Sequence, residues 1–114
     1  MPLDPPRFNS RLRYNLQSRA LQETAPILEA LKRQYAQLKD THVRLEDVPD
    51  RRMAEAGLPT ESESAYVEPD IILFLFSIYQ ANREAADYRA RVRRVLLKEI
   101  GDLVGEELMG ELED

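Results

Sequence analysis

The sequence predicts an all-α fold, an elongated helical hairpin whose two arms differ in length. Three observations carry that expectation. From Ile71 to Ile100 the chain has no proline and places apolar residues at helical spacing on two sides. From Asn9 to Lys39 it is rich in alanine, leucine, glutamine, lysine and arginine, all good helix formers. IILFLFSIY (71–79) has strand-like composition, but no second strand-like run is apparent to pair with it.

A chain of 114 residues makes a single domain, 1–114. With 43% apolar and 32% charged residues it falls among ordered, soluble chains. It has no cysteine, which removes disulfides, thiolate metal sites and thiol nucleophiles. The opening MPLDPPRFNSRLRYNLQ lacks the apolar core of a signal peptide. IILFLFSIY is far shorter than the roughly 20 residues that cross a bilayer. No membrane span and a cytoplasmic location are therefore expected.

Residues 1–8 carry three prolines and read as an arm. Helix one is expected over 9–39, with a break or kink at Pro26, where Thr24 can cap a new start. Leu28, Leu31, Tyr35 and Leu38 form one seam, extended backwards in sevens by Leu21 and Tyr14. Residues 40–69 read as a connection with a short helix near 50–56, opened by Asp50 and stopped by Gly57. Helix two is expected over 70–104, since Glu68, Pro69 and Asp70 suit a first turn. Residues 105–114 read as an acidic tail.

Helix two, so read, has two apolar seams and the rest of the chain offers cover for about one. Ile71, Phe74 and Ile78 are assigned to face helix one. Ile72, Phe76, Tyr79, Ala86 and Leu97 are assigned to a partner, either a second copy or another helical protein, making a coiled-coil-like bundle. Division of helix one at Pro26 would instead give a self-covered three-helix monomer.

The function expected is non-enzymatic: a protein–protein interaction module acting as a small subunit, adaptor or chaperone-like component of a larger complex. A structural subunit of a virion or secretion machine would look the same in sequence. A rival reading is nucleic-acid association, with Arg7, Arg11, Arg13, Arg89, Arg93 and Arg94 as anion contacts. Against it, the net charge is −5 and the arginines of 89–94 scatter around a helix. His42 is the lone histidine and has no second imidazole for a metal or a relay. Phosphate loops, nucleophile elbows and Ser-His-Asp sets are missing from the sequence. No cofactor and no small-molecule substrate are expected. The serines of TESESAY (60–66) sit where phosphorylation could occur.

Overall fold

The computed structural model describes residues 10–105 of the chain; the arm over 1–8, Arg7 and nearly all of the acidic tail lie outside that range. The fold is mixed α/β, which overturns the all-α hairpin. In chain order come α1 (Ser10–Gln34), a 3₁₀ turn (Ala36–Leu38), β1 (His42–Glu46), α2 (Arg51–Glu55), β2 (Ser64–Val67), β3 (Asp70–Phe74), α3 (Leu75–Ala81) and α4 (Ala85–Val104).

The chain departs from a hairpin at IILF. Strand β3 lies in the middle of a three-stranded sheet of order β1-β3-β2, parallel to β1 and antiparallel to β2. A central strand covered on both faces has no polar side, so its sequence is a continuous apolar run. Ile71, Ile72, Leu73 and Phe74 are all fully buried. What resembles two seams of a helix is thus, at its start, the two faces of a strand. The continuous helix two over 70–104 does not form. The chain bends at Asn82, whose amide donates 2.8 Å to the Ile78 carbonyl, and resumes as α4 after Glu84.

The partners of β3 come from the expected connection. β1 is HVRLE, a polar–apolar alternation that sends Val43 and Leu45 to one face and Arg44 and Glu46 to the other. β2 turns into β3 through Glu68–Pro69, joined by a cis peptide bond. Between β1 and β2 lies α2, where the Asp50 side chain accepts from the Met53 amide at 2.9 Å and Gly57 adopts a φ of 106° past its end.

The main core lies between one face of the sheet and α1, α3 and α4. It joins Ile71 and Leu73 with Leu16, Leu31, Ile78, Tyr88, Val92, Leu96, Leu97 and Ile100. Ile72 and Phe74 point to the opposite face, on the side of α2, where Met53, Leu58, Ala65 and Val67 line a shallow recess.

Helix α1 runs unbroken through Pro26, so the break, one of the two outcomes expected there, does not occur. Proline there removes the amide that would bond to the Gln22 carbonyl. Both residues are exposed, so water can replace it. The expected inward seam also divides. Leu31 and Leu38 are buried, whereas Tyr14 is 69% and Leu21 57% exposed. The residues α1 turns inward are Leu16, Ala20, Thr24 and Leu31. The Tyr14–Leu21–Leu28 line lies roughly 100° around the axis from them.

Candidate interaction surface

The residues assigned to a partner are mostly spent inside the chain. Ile72 and Leu97 are fully buried and Phe76 nearly so, and only Ala86 is exposed. Tyr79 is half-buried, with its ring edge-on to Tyr88 at 6.3 Å and the Arg83 guanidinium over it at 5.2 Å. The premise that the chain can cover only one side of 71–100 fails because β1 and β2 flank β3 and supply further cover. Ile71, Phe74 and Ile78 are buried too, with Phe74 on the face away from α1.

The arginines are likewise separated. Arg89 donates to Gln22 at 3.0 Å and to Glu23 at 3.5 Å, and Arg93 stands 3.8 Å from the same Glu23. Arg91 grips Glu63 with three hydrogen bonds of 2.5 to 3.1 Å, and those bonds raise its already high pKa further. Arg13 pairs with Asp47 at 2.5 Å. Arg11 is exposed on the first turn of α1, and Arg94 lines a cleft with Lys98 between α4 and residues 62–64. Among the described residues, no single basic groove collects Arg11, Arg13, Arg89, Arg93 and Arg94. His42 is exposed on β1, and no group of three metal-ligating side chains occurs among the described residues.

What the structure leaves open is the flank of α1 beside β1. Tyr14, Ser18, Leu21, Ala25 and Leu28 recur at alternating steps of four and three and so share one stripe of the helix. Leu21, Ala25 and Leu28, with Thr24, meet His42, Val43 and Leu45 around a recess of about 180 Å³. Arg13, near the start of α1, reaches Asp47 just past the end of β1, while residues 35–41 join the end of α1 to the start of β1, so α1 runs antiparallel to β1.

The strand beneath offers its backbone. The His42 amide donates to the Pro69 carbonyl at 3.2 Å, so His42, Arg44 and Glu46 face β3 with their main-chain groups. By alternation, Val43 and Leu45 direct their N–H and C=O away from the sheet. Among the described residues nothing pairs with them. On the face away from α1, Arg44 lies 3.0 Å from Glu46 and 3.9 Å from Asp70. An unpaired strand edge next to exposed leucine and tyrosine is a template for another chain.

The alternation of HVRLE was the one sequence signal for this edge. It is only five residues long and sits between charged stretches, where a loop is equally natural.

No family model, curated protein or solved structure matches the chain. Its role has to be read from its own surface. No helix among the described residues is long and apolar enough to cross a membrane.

Proposed function

We propose that the protein is a non-enzymatic interaction module of the cytosol, a small subunit or adaptor that works by docking a protein chain along α1 and β1. One observation carries this reading: Leu21, 57% exposed, lies beside the main chain of Val43 and Leu45, which no described residue pairs. Main-chain hydrogen bonds along an edge give affinity, and apolar side chains on a neighbouring helix give selectivity. The nucleic-acid reading has less support, because Arg89, Arg91 and Arg93 are turned to Glu23 and Glu63.

The test is a photo-crosslinking side chain at position 21 of the full chain in its native cells. Discrete protein adducts are expected there, and none from the same probe at Lys98. An absence of adducts at 21, or salt-dependent binding to a random-sequence oligonucleotide, would refute the reading.

A further inference from the structure

We propose that the flank of α1 and β1 is closed by a second copy of this chain. The two three-stranded sheets then join into one of six strands by antiparallel β1–β1 pairing. The proposal rests on the docking role just described and names its occupant.

The strand is complementary to itself. In an antiparallel pair that sets Leu45 opposite Leu45 of the second copy, Arg44 falls opposite Glu46 of the second copy, and the reverse pair follows by symmetry. Opposite charges face each other twice, on the side of the sheet away from α1, where cross-strand ion pairs are favourable. Shifting the pairing so that Arg44 meets Arg44 would set like charges together. Leu45 is one of the two residues whose main-chain groups point outward, so the pair at the axis can exchange both N–H···O bonds.

The helix is complementary to itself about the same axis. Leu21 and Leu45 border one recess, so a two-fold axis set beside Leu45 and normal to the sheet can pass beside Leu21 as well. Leu21 is the midpoint of the stripe, seven residues from both Tyr14 and Leu28. Two antiparallel copies of α1 crossing there place Tyr14 across from Leu28, with the small Ser18 and Ala25 between the large side chains to let the helices approach. An unrelated partner would have no reason to share a centre with both layers. A second copy shares it by construction.

The test is the mass of the full chain by light scattering over a concentration series, wild type against Leu21→Glu and Tyr66→Glu. Wild type is expected at twice 13.2 kDa. Leu21→Glu should weaken association roughly a hundredfold, since both copies place the residue at the centre of the contact. Its circular dichroism should match wild type because the side chain is exposed. Tyr66→Glu, on the other edge of the sheet, should leave the mass unchanged. Leu21→Cys, in a chain with no cysteine, should oxidise to a covalent dimer.

A wild-type mass of 13.2 kDa throughout would overturn the proposal. So would a dimer lost in Tyr66→Glu and kept in Leu21→Glu, which would assign the contact to β2. A monomer that dimerises only after deletion of residues 1–9 would assign the groove to the chain's own arm. A monomer whose position-21 probe captures a different protein refutes the second copy and leaves the docking role standing. A monomer with no adduct refutes both.

Discussion

The sheet has two outer strands, and they are treated in opposite ways. At β2 the Glu63 amide carbonyl accepts from the Phe74 amide at 2.9 Å, so Ser64 and Tyr66 turn their main-chain groups outward. That edge is surrounded by charge. Glu63 is clamped by Arg91, the Ser64 hydroxyl donates to Glu99 at 2.6 Å, and Arg94 and Lys98 complete a cleft of about 500 Å³. At β1 the adjoining helix flank is leucine, alanine and tyrosine instead. Incoming chain at β2 would meet ionised groups beside the adjoining helix, whereas at β1 it would cover apolar surface on the α1 side, worth about 25 cal/mol per Å², and meet Arg44 and Glu46 on the opposite face. A strand edge is sticky or inert according to the helix beside it, more than according to the strand.

Amide exchange reads this contrast directly and should show the largest effect. The Val43 and Leu45 amides should exchange at least roughly tenfold more slowly at high protein concentration than after dilution, a change of about 1.4 kcal/mol. The Ser64 and Tyr66 amides should exchange at the same rate at both concentrations. If all four respond alike to dilution, the two edges are not distinguished by docking.

The sequence made parts of this arrangement legible and hid others for physical reasons. Asp50 and Gly57 announce the ends of α2, because a cap and a left-handed stop are local chemistry. The helical character of α1 and α4 was readable from propensity and periodicity. The sheet was not, since IILF is equally apolar as a helix covered all round and as a central strand covered on both faces. Only its pairing partners decide between these, and HVRLE and SAYV are four or five residues each. The stripe was visible as Tyr14, Leu21 and Leu28 in sevens, but its direction, which leaves Tyr14 and Leu21 exposed and Leu28 half-buried, was not. That direction depends on Leu16 and Ala20 fitting the core, which is a tertiary fact.

The roll of α1 about its axis decides whether the stripe faces β1, and Tyr88 helps to set it. Its hydroxyl is buried and donates 2.9 Å to the Leu16 carbonyl, tying α4 to α1 at the inward face. Tyr88→Phe should cost about 1 kcal/mol in urea unfolding, the net worth of one such bond. It should also change the alkaline limb. Burial raises the Tyr88 pKa above the ordinary value of 10.0, with a smaller opposing effect from Arg19. A raised folded-state pKa means that the unfolded chain releases its proton first. Stability is therefore whole below pH 10.0 and falls as pH rises beyond it. In Tyr88→Phe that fall should be shallower. An unchanged alkaline slope would place the loss of stability at other groups.

The smallest effect is expected where the β2 edge is closed by charge. Glu63→Gln keeps the shape of the side chain and removes the carboxylate that Arg91 holds. Arg91 is 42% and Glu63 25% exposed, so solvent and salt already weaken the pair, and its loss should cost at most about 1 kcal/mol. The difference between variant and wild type should shrink in added salt, because an ion pair open to water is screened over roughly 10 Å at 0.1 M. The clamp's effect on association is a separate matter. If charge keeps β2 closed, neutralising one residue leaves Arg94, Lys98 and Glu99 in place, and the mass should stay that of wild type. Growth into larger species on this single change would mean that Glu63 alone guards the edge, and that the two sides of the sheet differ by one carboxylate instead of by their helices.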